Sequence, residues 1–195
     1  MKLILLVFVV AFISVSSQHL DIDSYTSHAT PVLEISESDC LTKLVVKSAD
    51  MFAVRDRVCI QQVKGMQISS NATDSGAQSE SGYAGNFELG TIERIEGTTV
   101  YLSGRLARRY DVQHRVQLIE VLMSETINIR GVVTCEPWDG ESGGTVVVEA
   151  TDTLLHNGLI VVSGKGFRGG ETSEYYQSCG LAWDCLLYTS PSPRD

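Results

Sequence analysis

Short apolar runs recur along the chain at two-residue spacing, punctuated by Gly, Ser, Asn and Asp. Such alternation predicts strands with one buried face. VLEIS from Val32 and TKLVVK from Thr42 are two short candidate strands. Between Asp50 and Lys64 a helix over 49–62 is conceivable, but Val54, Val58, Ile60 and Val63 fit an extended segment after a bend better, because β-branched side chains suit pleated backbone. From Phe87 the pattern sharpens into FELGTIERIEG, TTVYLSG, VQLIEV and INIRGVVT, with Gly97 and Gly104 marking breaks. Residues 146–149 and 159–162 form two more β-rich runs, and His156-Asn157-Gly158 supplies a tight turn before the second. The predicted fold is mainly β, either β-sandwich-like or the start of a right-handed β-helix. An isolated β-helix coil cannot bury a complete core, so continuation beyond Gly170 makes physical sense for a solenoid.

The two ends differ from this body. Met1-Lys2 precedes the apolar run LILLVFVVAFI and then SVSSQ, which reads as a secretory signal peptide over 1–17, cut ahead of Gln18 with Val15 and Ser17 at the recognition positions. The run is short for a bilayer span, and no later segment approaches one. At the other end CLLYTSPSPRD, Cys185 to Asp195, resembles a translated adapter tail of the kind that recurs at the ends of environmental gene assemblies. A natural flexible terminus is the alternative reading of that segment. The expected organisation is therefore a signal peptide (1–17), a polar leader with short strands (18–49), a β-rich module (50–123), a Gly-rich β segment and possible β-helix start (124–184), and a non-native tail (185–195), in a truncated product.

Charge and cysteine content narrow the class. With 15 Lys and Arg against 24 Asp and Glu, the net charge of -9 argues against nucleic-acid binding, which rests on basic residues neutralising phosphates. Export would favour disulfides. Once Cys185 is assigned to the tail, Cys40, Cys59, Cys135 and Cys179 form an even set, and nearness in sequence suggests the pairs Cys40 with Cys59 and Cys135 with Cys179. The spacing is too long and irregular for a structural zinc site, and His19, His28, His114 and His156 are scattered, so no metal or cofactor is expected. No cysteine has a local base beside it for thiol catalysis.

Candidate chemistry is sparse. SSNATDSGAQSESGYAGN is a polar loop containing a glycosylation sequon at Asn71, while Asp74, Glu80 and Glu88 offer oxygen ligands that an ordinary solvated loop would also carry. Arg105, Arg108, Arg109 and Arg115 make a locally basic stretch, read either as a rim balancing a negative protein or as a contact for an acidic glycan. SGKGFRGG is not a Walker A loop: Leu159 stands where the first Gly is required and Gly166 follows Lys165. GxSxG and HExxH are both absent, and Asp139 and Glu141 in WDGESGG are the first carboxylates to consider for acid–base work on a polysaccharide. Tyr101, Tyr110 and Trp138 are the aromatics to consider for stacking on a sugar.

GNFELGTIERIEGTTVYLSG, VQLIEV and WDGESGGTVVVEATDTLLHNGLIVVSGKGFRGG, in that order, resemble the N-terminal module of large exported surface proteins of gliding and biofilm-forming bacteria of the Bacteroidetes type. The resemblance runs from about Val54 to Gly170 and is carried by Trp138, Asp139, Gly140, Gly143, Gly144 and the stretch 163–170. It implies a non-enzymatic structural or adhesive module of a secreted, disulfide-bonded cell-surface protein, with cell-surface or matrix components and glycans as partners. A carbohydrate-binding module, or a fragment of a β-helical polysaccharide-active enzyme, is the alternative.

Overall fold

The computed structural model describes residues 18–38, 40–65 and 83–167. Nine strands follow in order: β1 (His19–Ser27), β2 (Ala29–Ser38), β3 (Leu41–Val46), β4 (Arg57–Gln62), β5 (Phe87–Glu96), β6 (Thr99–Leu102), β7 (Val116–Cys135), β8 (Val147–His156) and β9 (Leu159–Val161), with one 3-10 turn at Val112–His114 before β7. The fold is mainly β with mixed sheet topology. The stretch expected as a polar leader contains β1 and the start of β2, and the segment that could have been helical holds the extended β4.

Strands β2, β3, β6, β5 and β4 pair antiparallel in that order, and the first residues of β7 pair with both β2 and β4. The sheet thereby closes into a six-stranded barrel, which leaves these strands without a free edge. Alternation decides what fills it. Leu44 and Val46 on β3, Val58 and Ile60 on β4, Ile92 on β5, Val100 and Leu102 on β6, and Val116 and Leu118 on β7 point inward and are buried together with Phe52. The opposite face of β4 and β7 is apolar where β8 arrives: Cys59, Ile119 and Val121 are buried against Ala29 and Val147. That double burial explains why VCI and VQLI read as nearly continuous apolar runs.

β7 is 20 residues long and serves two structures. Beyond the barrel it becomes the middle layer of a parallel stack, with β1 on one side and β8 and β9 on the other. The barrel is thus inserted between the first and second layers of this stack. Side chains in register form columns, Leu20 with Ile127 and Leu154, Ile22 with Ile129 and His156, Tyr25 with Val133 and Ile160. In the middle layer Ile127, Ile129 and Val133 are fully buried. A polar ladder runs beside them: Asn128 Nδ2 donates to Asp21 Oδ1 at 2.9 Å, and Asn157 Nδ2 donates to Asn128 Oδ1 at 3.0 Å.

The β1–β7 pairing changes register between Ile22 and Ser24, opposite residues 130 and 131. There a Cβ on Gly131 would run into the carbonyl oxygen of Asp23, and one on Gly158 into that of Gly131, so only glycine allows this close approach of backbones. Barrel and stack are joined by the continuous β7 and by Arg57 on β4, whose Nε and Nη2 donate to the Glu149 carboxylate of β8 at 2.7 and 3.3 Å.

The expectation of disulfides is corrected. Cys40 is a free exposed thiol, and Cys59 is a free buried one on the outer face of the barrel, so these two are not paired. Cys135 is likewise a free buried thiol, while its suggested partner Cys179 lies outside the described residues. The reason is topological: Cys59 faces the β8 side of β4, whereas Cys40 sits at the β2–β3 turn. The signal segment 1–17, Asn71 and the tail 185–195 also lie outside the described residues.

Candidate functional site: a charged groove at the barrel end

Where β2 and β7 meet at one end of the barrel, Pro31, Val32, Leu33, Val112, Gln113, Arg115, Val116 and Glu141 surround an open groove of about 250 Å3. Its elements are set by local chemistry. Asp111 caps the 3-10 turn: its Oδ1 accepts from the Gln113 N–H at 3.0 Å, and its Oδ2 lies 2.9 Å from His114 Nδ1. These bonds, the Gln113 N–H foremost, hold the Asp111 carboxyl below its usual range. The turn ends at Arg115, which is left-handed with φ 60° and ψ 86°. A non-glycine residue there is uncommon, and the conformation lets the chain leave the turn and enter β7 immediately.

The opposite wall is the loop after β7. Asp139 Oδ1 accepts from the backbone N–H of Glu141 at 2.7 Å and of Ser142 at 2.8 Å, a compact turn that holds the Asp139 carboxyl well below the usual carboxylate range. Gln117, wholly buried on β7, anchors the same loop: its Oε1 accepts from the Gly143 N–H at 2.8 Å, and its Nε2 donates to Gln61 Oε1 at 3.0 Å. Gly143 has φ 100°, and a Cβ there would meet the Pro137 carbonyl at 2.7 Å.

This anchoring delivers Glu141 to the groove. Lys47 Nζ donates to Glu141 Oε2 at 2.9 Å, and Arg115 Nη1 lies 3.6 Å from Oε1. The Lys47 bond is the main reason the Glu141 carboxyl is held below its ordinary value, and it raises Lys47 in return. Both carboxylates that the sequence singles out therefore stay ionised at neutral pH. As ionised groups they accept hydrogen bonds, and neither is prepared as a proton donor. Leu33, 57% exposed, and Pro31 add an apolar floor beside this charged rim.

The aromatic candidates are dispersed. Trp138 is buried, with its ring edge-to-face against Phe167 at 4.9 Å between centroids. Tyr110 packs against the barrel core, and its hydroxyl donates to Glu88 Oε1 at 3.2 Å. Tyr101 lies on β6 with the Arg94 guanidinium 4.0 Å from its ring centroid, which occupies one ring face, and its hydroxyl donates to Glu96. Of the basic residues, Arg105 pairs with Glu37, Arg108 reaches over Phe87, and Arg115 lines the groove. Glu88 is engaged as an acceptor for the Ala107 and Arg108 N–H groups at 2.7 and 2.6 Å, which binds the 107–110 loop to β5. Among the described residues no three His, Cys, Asp or Glu side chains converge as a metal set. Lys47, Gln113 and Gln117 were not flagged by sequence. Lys47 ends a candidate strand, and nothing local announces that its ammonium meets a carboxylate from the 136–146 loop.

A mainly β chain of mixed sheet topology can be set beside known proteins. No family model matches it, and no curated protein matches it. Among solved structures it aligns with the gp54 tailspike of Acinetobacter baumannii bacteriophage AP22, solved in complex with A. baumannii capsular saccharide, at 11% identity and a TM-score of 0.39 over 73% of this chain. The tailspike gp49 of Pseudomonas phage LKA1 aligns over 60% of this chain at 14% identity with a TM-score of 0.32. The tailspike gp61 of Pseudomonas phage phi297 aligns over 73% at 14% identity with a TM-score of 0.34. The chain spans 28%, 23% and 22% of the lengths of these three tailspikes.

Two expectations are corrected at this point. The expectation of a disulfide-bonded protein gives way, since the described cysteines are free thiols. The expectation of a chain with no enzymatic role also falls, on chemical grounds. Its physical basis was narrow: missing GxSxG and HExxH motifs speak only to the chemistries those motifs serve, whereas carboxylates that act on a sugar can come from separate strands with no linear signature.

Proposed function

We propose that this chain is a carbohydrate-interacting β module and that the groove between Pro31–Leu33, the 112–116 turn and Glu141 receives a sugar unit. The observation that carries this reading is the combination of an apolar floor with a preorganised charged rim in a groove of about 250 Å3. A sugar ring presents C–H patches to Leu33 and Pro31 and hydroxyl pairs to planar charged groups. The ionised Glu141 accepts from hydroxyls, while Lys47 and Arg115 supply donors around it. Because the buried Gln117 fixes the loop, these groups are held before a ligand arrives, which reduces the ordering cost of binding.

Saturation-transfer NMR with a panel of bacterial capsular oligosaccharides tests the reading. Transfer to the sugar is expected with the native chain and is expected to disappear in Glu141→Gln combined with Arg115→Ala. Equal transfer in the native and double-variant chains would place any binding elsewhere and sink the proposal.

A further inference from the structure

The loop that presents Glu141 is also held by a residue outside the groove. After β9 a turn over 163–165 brings the chain against the 136–144 loop, and Lys165 fastens it there through its N–H, its carbonyl and its ammonium. The half-buried ammonium donates to Thr134 Oγ1 at 2.6 Å and to the Cys135 carbonyl at 2.8 Å, on the last residues of β7. Thr134 Oγ1 in turn donates to the Val161 carbonyl at 2.6 Å, which ties the same staple to β9. The Lys165 N–H donates to the Val162 carbonyl at 3.1 Å, and the Lys165 carbonyl accepts from the Trp138 N–H at 2.9 Å. A Cβ on Gly144, which has φ 73°, would lie 2.8 Å from that carbonyl, so only glycine leaves room for it. Phe167, two residues on, meets the Trp138 ring edge-to-face at 4.9 Å between centroids.

We infer that Lys165 is a positioning residue for Glu141, acting through Trp138 and Asp139; its bearing on ligand binding rests on the reading of the groove as a sugar site. Trp138 and Asp139 are neighbours in the chain. The Lys165–Trp138 bond therefore fixes the backbone from which the Asp139 carboxylate reaches the Glu141 and Ser142 N–H groups. Gln117 holds the loop at Gly143, and Lys165 holds it at Trp138, on the other side of Glu141. With the Trp138 side released, the Asp139 turn shifts as a unit and carries Glu141 away from Lys47 and Arg115. Lysine suits the task, because one ammonium supplies three donors and bridges the Thr134 hydroxyl and the Cys135 carbonyl together. The groove at the barrel end is thereby coupled to the layer formed by β8 and β9.

The test follows the Glu141 carboxyl by carbon NMR through a pH titration of the full chain, labelled at its glutamate carboxyl groups. Glu141 faces Lys47, Arg115 and Asp139, and the Lys47 bond is the main reason its native carboxyl lies below the ordinary value. Lys165→Met keeps an unbranched side chain and removes the donors. It should move the Glu141 titration up to the ordinary value and weaken capsular-oligosaccharide binding about tenfold, the size of an ordinary coupling between two sites. Lys165→Arg, which can donate to both acceptors, should restore both readouts. Val100→Ala in the barrel core is the structural control: it lowers stability and should leave the Glu141 titration native. If Lys165→Met does not fold, Phe167→Ala, at an exposed position, carries the test by the same upward shift. A native Glu141 titration in the variant, a loss that Lys165→Arg does not restore, or an equal shift in Val100→Ala would overturn the inference. Absence of saccharide binding by the native chain, or native affinity beside a shifted Glu141, defeats the reading of the groove and leaves the placement of Glu141 by Lys165 standing, because the titration needs no ligand.

Discussion

Leu118 and Ile129 lie on the same strand, one in the barrel and one in the stack, and truncating each tests whether the two structures fold as one. Both side chains are fully buried. Leu118 packs with Val58, Ile60 and Val116 inside the barrel, and Ile129 lies between Ile22 and the β8 layer. Neither neighbourhood can collapse easily, because barrel strands are paired on both sides and the stack layers are fixed by backbone hydrogen bonds. Replacement by alanine should therefore cost about 3 kcal/mol at either site, from lost transfer energy plus the residual cavity. For a chain of this size that corresponds to a fall in melting temperature of about 6–12 °C. The decisive point is shape. β7 is continuous through both structures, and the Arg57–Glu149 pair with the Cys59, Ile119, Val121 and Val147 cluster ties them again. Calorimetry should show one transition, shifted by a similar amount in Leu118→Ala and in Ile129→Ala. If Ile129→Ala instead split off a low-temperature transition and left the barrel transition at the native temperature, the claim that β7 couples the two structures would be wrong.

Other outcomes follow from the same geometry. Alkylation at pH 8 followed by peptide mapping should label Cys40 quickly and spare Cys59, whose thiol is pushed up to about 11 by burial, until the chain is denatured; a linked Cys40–Cys59 peptide would contradict the structure. Gly158→Ala should lower stability by about 1–3 kcal/mol in urea titration, since its Cβ meets the Gly131 carbonyl, which is backbone and cannot move aside cheaply. Gln117→Leu leaves the Gly143 N–H without its acceptor and should cost about 1–3 kcal/mol while weakening saccharide binding. The Glu141 carboxyl is depressed by Lys47, so its pairing contributes at neutral pH and is lost as pH falls through that depressed value. Saccharide affinity should accordingly be flat from neutrality down to the ordinary carboxylate range and decline below it; a decline already under way near neutrality would refute the role given to Glu141.

Much of the strand content was legible in order along the chain. Period-two alternation marks β3, β5 and β6 because each has one face on the barrel core, whereas His156-Asn157-Gly158, expected as a tight turn, only interrupts the strand: β8 and β9 both pair parallel with β7 at one offset and continue in one direction. β1 was obscured: HLDIDSYTS buries only Ile22 and Ser27, so its polar composition resembles a linker until β7 supplies the partner edge. The groove was legible only in fragments. Arg115, Asp139 and Glu141 stand out as charges, whereas Lys47 comes from a distant strand and Gln117 looks like an ordinary polar residue in an apolar run. Trp138 illustrates the opposite error, since an aromatic in a Gly-rich loop looks exposed and is in fact capped by Phe167.

What the sequence by itself determined was local: β-branched alternation, turn glycines and an acidic balance are properties of neighbouring residues, and short-range sterics and solvation act on them directly. Which strands pair was decided by the tertiary structure. Leaving β1 for the barrel and returning through β7 brings together segments far apart in the chain, and only that return creates the buried columns and sets the free cysteines apart. It also places Lys47 and Arg115 around Glu141. Closure of the barrel and stacking of parallel layers depend on burying both faces of β7 at once, a condition no single stretch of sequence can express.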